Sequence, residues 1–98
     1  MILEAAFLNI KEGQTAAFEA AVKQASPIIA SMQGYVHHEI QKCIEDPNKY
    51  LLLVQWETLE DHAQGFRGSP EYKQWQALLH HFYEPFPTVE HFTQVYSN

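Results

Sequence analysis

One segment, residues 50–56, constrains the fold of this chain more than any other. Its sequence, YLLLVQW, is apolar on both of the faces that the alternating residues of a strand present. One face would carry Tyr50, Leu52, Val54 and Trp56, and the other would carry Leu51 and Leu53. A strand in a sheet with one wet face alternates apolar and polar residues, so this strand needs a cover on each face.

Hydrophobic periodicity predicts further elements on both sides of this segment. Strands are predicted over residues 2–10, 35–43 and 88–96 from their mostly apolar or alternating composition. Residues 14–32 are predicted to be helical, because their apolar residues recur at spacings of three and four. The cluster EDPN at residues 45–48 is typical of a turn, so the strands that flank it should form an antiparallel hairpin.

The part of the chain after Trp56 predicts a helical region in two pieces. Thr58 is suited to cap a short helix, since its hydroxyl can accept an amide hydrogen bond and acidic residues follow it. That helix should end near residues 65–68, where two glycines occur. A second helix should begin with Ser69 as its cap and Pro70 at its first position.

The resulting order, β-α-β-β-α-β, favours a single α+β domain over residues 1–98. Short connections and helices with one apolar stripe indicate a ferredoxin-like split βαβ fold, with a four-stranded antiparallel sheet and helices on one face. This plan leaves one face of the two apolar strands uncovered. We therefore predict a homodimer that packs sheet against sheet.

Composition excludes several classes of partner. The 98 residues carry a net charge of −6, and the six Lys and Arg residues are scattered, which argues against nucleic acid and against an anionic membrane surface. No apolar run approaches the ~18 residues of a membrane span. Cys43 is the only cysteine, so no disulfide forms within the chain. With no basic leader at the N-terminus, we expect a cytoplasmic protein.

Several short motifs together resemble one family. They are KEG at residues 11–13, DPN at 46–48, WETLEDH at 56–62 and SPEY at 69–72. In size and in these motifs, nearly the whole chain resembles the antibiotic biosynthesis monooxygenase domain family. The resemblance implies a dimeric α+β barrel with a pocket between sheet and helices in each protomer. It also implies oxygenation of small quinol-like or polycyclic aromatic substrates, often without metal or flavin.

The resemblance points to His62 as a catalytic residue, because many members carry a histidine at this place. An imidazole that titrates near pH 6.5 could take a proton from a phenol, and the resulting anion would react more readily with oxygen. The alternative is that His62 only packs locally. Trp56, Phe66, Tyr72 and Arg67 are the candidate substrate-binding residues, as aromatic walls and as a cation for an anionic group. Their alternatives are core packing for the aromatic residues and a solvated turn for Arg67.

No metal or other cofactor is predicted. His37 and His38 are neighbours on a strand and point to opposite faces, while His80 and His81 diverge on a helix and suit its C-terminal dipole. One branch of the family degrades heme with an Asn, a Trp and a His. In an ungapped placement this chain has Ala6, residue 65 or 66, and Trp75 there, so heme degradation is the less favoured function.

Two functions therefore stay open. The first is a cofactor-independent monooxygenase that acts on a small aromatic compound. The second is a dimeric module that binds a small ligand or assembles without turnover. A pocket bordered by His62 and Trp56 and large enough for one or two rings would favour the enzyme. A pocket filled by aromatic side chains would favour the module.

Overall fold

The computed structural model describes residues 1–98 and contains four strands and two α-helices. Their order along the chain is β1 (Ile2–Asn9), α1 (Thr15–Ala30), β2 (Tyr35–Lys42), β3 (Lys49–Trp56), α2 (Pro70–Leu79) and β4 (Val89–Phe92). A π-helical segment, Asp61–Phe66, lies between β3 and α2, and a 3-10 turn, His80–Phe82, follows α2. None of the helices has the length and apolar composition needed to cross a bilayer.

The four strands form one antiparallel sheet in the order β2-β3-β1-β4. The two strands that are apolar on both faces, β1 and β3, occupy its centre, where each has a neighbour on both sides. In their register, Leu8 lies opposite Tyr50, Ala6 opposite Leu52 and Glu4 opposite Val54. The predicted α+β, ferredoxin-like architecture is confirmed, and so is the β2–β3 hairpin.

Both helices pack on the same face of the sheet. That face of β3 supplies Tyr50, Leu52, Val54 and Trp56 to the core, all at most 5% exposed. The α1 stripe contributes Phe18, Ala25 and Ile29. Phe18 is fully buried, and its ring lies 4.9 Å from the ring of Tyr50 in an edge-to-face contact. Burial of these apolar side chains against the sheet supplies the main driving force for the fold.

The segment after β3 is positioned by a cap and by a close backbone approach. The Asp61 amide donates to the Thr58 hydroxyl at 3.1 Å, as the sequence predicted. A Cβ atom at Gly34, whose φ is +81°, would overlap the Asp61 side chain, so glycine is required there. The Arg67 amide then bonds to the His62 carbonyl, five residues back. This π-helical spacing turns His62 and Phe66 toward the sheet, where both are buried.

One predicted element is shorter in the structure. Strand β4 covers only residues 89–92, whereas the sequence pattern extended it over 88–96. Phe92 pairs with Leu3, which is the second residue of β1, so the chain beyond it has almost no partner strand left. Val95 and Tyr96 are 96% and 78% exposed. The limit is therefore set by the length of the neighbouring strand.

The sheet face opposite the helices, which we term the open face, has no cover within the chain. Leu3, Leu51 and Leu53 on it are half-buried, whereas Phe7 and Phe92 are 57% and 49% exposed. These side chains are contiguous across β1, β3 and β4 through the strand register. The chain thus presents an apolar surface larger than isolated exposed residues would give.

Candidate active site

A small cavity of about 60 Å³ lies between the sheet and the helical layer. Its floor comes from β1 and β3, and its walls come from the π-helical segment, α2 and the chain between α2 and β4. The polar residues that line it are Glu4, His62, Arg67, Tyr72, His80 and Tyr83. The remaining wall is mostly apolar and aromatic, and includes Phe66, Trp75 and Phe86.

Glu4 is the buried carboxylate of this cavity. It lies on the helix-facing side of β1 and is 5% exposed. The indole N–H of Trp56 donates to Glu4 Oε1 at 2.9 Å, and His62 Nε2 lies 3.3 Å from the same oxygen. The other oxygen, Oε2, makes no hydrogen bond within the chain. One oxygen is therefore held by the Trp56 hydrogen bond with His62 close by, while the other has no partner within the chain.

His62 connects Glu4 to the edge of the sheet. Its imidazole is 2% exposed and stacks on the Trp56 indole, with ring centroids 5.5 Å apart. Its Nδ1 lies 2.8 Å from Nε2 of His91 on β4. Both ring nitrogens of His62 are thus engaged, one toward the cavity carboxylate and the other toward a second histidine.

Burial moves the pKa values of these two groups in opposite directions. Desolvation raises the pKa of Glu4 above its ordinary 4.5, although the Trp56 hydrogen bond and the Arg67 charge oppose the shift. Desolvation also lowers the pKa of His62 to about 3, and the charges of Arg67 and His91 add to this effect. His62 is therefore neutral at pH 7, and the expected titration of His62 near pH 6.5 does not fit its burial.

The structure brings four of the five predicted site residues together. His62, Phe66, Arg67 and Tyr72 all line the cavity. Trp56 does not line it, so of the two alternatives for this residue the structure shows core packing. Trp56 is fully buried behind His62 and Glu4, because the helix-facing side of β3 is covered along its whole length.

Arg67 brings a positive charge to the exposed side of the cavity. Its side chain lines the cavity, is exposed to solvent and forms no ion pair with a carboxylate. Burial raises the pKa values of Glu4 and Tyr72 and lowers those of His62 and His91; the Arg67 charge opposes the first two shifts and adds to the last two. Arg67 is therefore free to meet an anionic group of a ligand.

Sequence reasoning missed four polar residues of this region. Glu4 gave a signal, because it is a lone carboxylate on a strand face that is otherwise apolar. His80, which looked like a helix-end residue, lines the cavity together with Tyr83. His91 gave no local signal, because its contact with His62 joins residues 29 positions apart. No group of three His, Cys, Asp or Glu side chains is placed to hold a metal ion.

Comparison with known proteins adds the family. The sequence model of the family described as "Antibiotic biosynthesis monooxygenase" matches residues 1–78. The chain belongs to this family. The matched segment contains Glu4 and His62, whereas His80, Tyr83 and His91 lie after it. The family's matched region therefore supplies the floor and two of the three walls of the cavity, those of the π-helical segment and α2.

One relative agrees with this chain in sequence, and two solved structures agree with it in fold. This chain is 63% identical over 95 residues to YczJ, an uncharacterised protein of Bacillus subtilis strain 168, with 97% of this chain and 100% of YczJ covered. A crystal structure from Bordetella bronchiseptica that carries the family's name is 34% identical, with a TM-score of 0.93 and 97% of each chain covered. SnoaB, a cofactor-independent oxygenase of Streptomyces nogalater, is 18% identical, with a TM-score of 0.80 and coverage of 98% and 94%. At that identity the SnoaB comparison shows the fold alone.

Proposed function

We propose that this family member is a monooxygenase that acts on a small hydroxyaromatic compound, with Glu4 as the proton acceptor. The observation that carries the proposal is the carboxylate at the cavity wall, with Oε1 held by Trp56 and Oε2 free. A raised pKa brings a carboxylate closer to the acidity at which general bases work best. His62, which has a pKa of about 3, is a far weaker proton acceptor than its residue type suggests.

The chemistry needs no reductant other than the substrate. Removal of a proton from a quinol or phenol by Glu4 gives an electron-rich anion that can pass electrons to O₂. One oxygen atom then enters the substrate, and the other leaves as water with two hydrogens that the substrate supplies. The product is heavier by one oxygen atom and lighter by two hydrogen atoms, so atoms and electrons balance. Glu4 returns its proton when the water forms.

In this proposal His62 and Trp56 position the carboxylate. Both rings approach the same oxygen of Glu4, and they stack on each other, which favours one orientation of the carboxylate. Such positioning matters because a small displacement of a reacting group can cost a large part of the rate. Arg67, Phe66 and Tyr72 are the proposed substrate contacts, the first for an anionic group and the other two for an aromatic ring.

The cavity must enlarge before it can hold an aromatic substrate. A cavity of about 60 Å³ holds a few water molecules, and an aromatic ring needs more room. Phe86 at the rim is 62% exposed, and its ring lies 5.0 Å from that of His80. We propose that Phe86 moves outward to admit the substrate. The small volume is also the observation that favours the second function, a binding or assembly module without turnover.

We further propose that the protein works as a homodimer joined through the open face. Phe7 and Phe92 are large, exposed and adjacent to the half-buried leucines of β1 and β3. Sheet-to-sheet packing would bury this surface, and a stable dimer of this kind buries roughly 2,000 Å² or more in total. The cavity lies on the opposite side of the sheet, so both cavities stay accessible in such a dimer.

The test of the activity is oxygen uptake with a panel of quinols and polycyclic phenols. The matched controls are the methyl ethers of the same compounds, which have no acidic hydroxyl proton. We expect uptake with the free hydroxyl compounds only, and with ¹⁸O₂ one labelled atom in the product. Binding of the compounds without uptake or mass change would instead support the non-catalytic module.

A further inference from the structure

Three side chains form a continuous line from the cavity to the edge of the sheet. Glu4 Oε1 lies 3.3 Å from His62 Nε2, and His62 Nδ1 lies 2.8 Å from His91 Nε2. The residues come from β1, the π-helical segment and β4. No other histidine in the chain has both of its nitrogens between a cavity carboxylate and a second imidazole.

His91 is the outer end of this line. Strand β4 is at the edge of the sheet and pairs only with β1, where His91 lies directly opposite Glu4. His91 is half-buried, and its Nδ1 makes no hydrogen bond within the chain. The line thus begins at a carboxyl group that is 5% exposed and ends at a ring nitrogen on an open edge.

We infer that His62 and His91 form a proton path between Glu4 and the solvent at the edge of β4. The inference deepens the proposed function and rests on it, because it assumes that Glu4 is the group whose protonation state changes in turnover. In this path neither histidine acts directly on the reacting atoms of the substrate. Their role is to move a proton while the cavity is occupied.

The path works because the His62–His91 hydrogen bond can run in either direction, and because His62 Nε2, 3.3 Å from Glu4 Oε1, can form a hydrogen bond with it after a small turn of the ring. When Glu4 is ionised, His62 Nε2–H donates to Glu4, and His91 Nε2–H donates to His62 Nδ1. When Glu4 is protonated at Oε1, it donates to His62 Nε2, His62 Nδ1–H donates to His91, and His91 carries its proton on Nδ1. Conversion of the second arrangement into the first moves one proton from Glu4 to water by three short shifts.

The protons that leave and enter along the path balance over the whole reaction. A proton taken from the substrate at Oε2 reaches the path after the carboxyl group turns about its Cγ–Cδ bond, which exchanges its two oxygens. The same path returns a proton when the second atom of O₂ leaves as water. A ring that fills the cavity would close the direct route from Glu4 to solvent, so a side route is needed.

Other titratable groups face this line without joining it. The Arg67 charge acts on all three members of the line. Tyr72, His80 and Tyr83 share the cavity wall with Glu4, but none makes a hydrogen bond to a member of the line. These groups shift the midpoint of the titration, whereas the coupling between Glu4 and the two histidines depends only on the two contacts.

The test is a ¹⁵N and ¹³C NMR titration of the full chain, which reports the tautomer of each imidazole and the ionisation of each carboxyl group. We expect the tautomers of His62 and His91 to switch together at the midpoint of Glu4. In Glu4→Gln neither should switch. A His62 that keeps one tautomer through the Glu4 titration would overturn the path.

A second variant keeps the test decisive if Glu4→Gln does not fold. His91→Phe changes a half-buried residue on the edge strand and removes the acceptor for a His62 Nδ1–H. His62 should then stay in its Nε2–H form throughout, and an unchanged switch would exclude His91 from the path. These readings need no turnover, so the absence of oxygenase activity would leave them interpretable. Where turnover is found, His91→Phe should slow it several-fold and enlarge its solvent deuterium isotope effect.

Discussion

The indole nitrogen of Trp56 donates a 2.9 Å hydrogen bond to Oε1 of Glu4, between residues that are 52 positions apart in sequence. Both side chains lie on the helix-facing side of neighbouring strands. Glu4 pairs with Val54 in the β1–β3 register, and Trp56 lies two residues further along β3. The bond satisfies a buried carboxyl oxygen that would otherwise carry a large desolvation penalty. Trp56 thus affects the cavity indirectly, because it orients the Glu4 carboxylate that lines it.

Two replacements of Trp56 should distinguish the contribution of its packing to stability from that of its hydrogen bond. Trp56→Ala should lower the free energy of unfolding by about 3–5 kcal/mol, as truncation of a large core side chain does. Trp56→Phe keeps most of the ring but removes the N–H donor, so its direct cost should be about 1.5–3 kcal/mol. The pKa of Glu4 should also rise in Trp56→Phe, because the bond favours the ionised form. Urea unfolding and ¹³C titration measure these effects, and an unchanged Glu4 midpoint would contradict the second.

Glu4→Gln should reduce turnover on a substrate found in the oxygen-uptake screen by about 10²–10⁴-fold, the usual effect of removing a general base. The amide keeps the shape of the side chain and can still accept the Trp56 hydrogen bond. The matched control is His81→Ala, since His81 is exposed and does not line the cavity. His80 is unsuitable as a control, because it does line the cavity. Normal turnover in folded Glu4→Gln would place the base elsewhere.

Phe7→Glu should convert the proposed dimer into a monomer. Phe7 is 57% exposed on the open face, and a carboxylate there would be buried without a partner if two sheets packed together. Ile44→Glu introduces the same charge on a residue that is 94% exposed in the β2–β3 turn, and it should leave the assembly unchanged. Equilibrium sedimentation at micromolar concentration distinguishes the two states. A monomeric parent protein would contradict the proposed dimer directly.

Stability should depend on pH through His62. Its pKa in the folded protein is about 3, well below the ordinary 6.5, so the unfolded chain binds the proton more tightly. Stability is therefore fully present above pH 6.5 and decreases as the pH falls toward 3, by on the order of 1 kcal/mol per unit at most. His62→Phe should remove most of this slope. Urea midpoints between pH 7 and 4, at one protein concentration, provide the measurement.

Glu4 should act in the opposite sense over the same range. Because its folded pKa is raised above 4.5, its contribution is present below pH 4.5 and is lost as the pH rises through the folded value. Glu4→Gln removes this opposing effect, so its acid-side slope should be steeper than that of the parent. An equal slope in the two proteins would mean that Glu4 titrates as an exposed carboxyl group does.

The sequence by itself determined the architecture. The two-faced apolar pattern of residues 50–56 requires a central strand, and the periodicity of α1 and the EDPN turn fix the element order around it. The caps at Thr58 and Ser69 were also readable, because capping depends on neighbours three residues away. These features are local, or they repeat with the period of one element, and that is why a single sequence reveals them.

Only the tertiary structure decided which side chains meet at the cavity. The sequence left Trp56 open as a pocket residue or a core residue. Coverage of its strand face buries it, and burial also shifts the pKa values of its neighbours Glu4 and His62 in opposite directions. His91 joins them only because β4 pairs with β1 and sets it opposite Glu4. Contacts between distant residues and the desolvation that they cause depend on the packed arrangement of several elements, and no local pattern in the sequence encodes them.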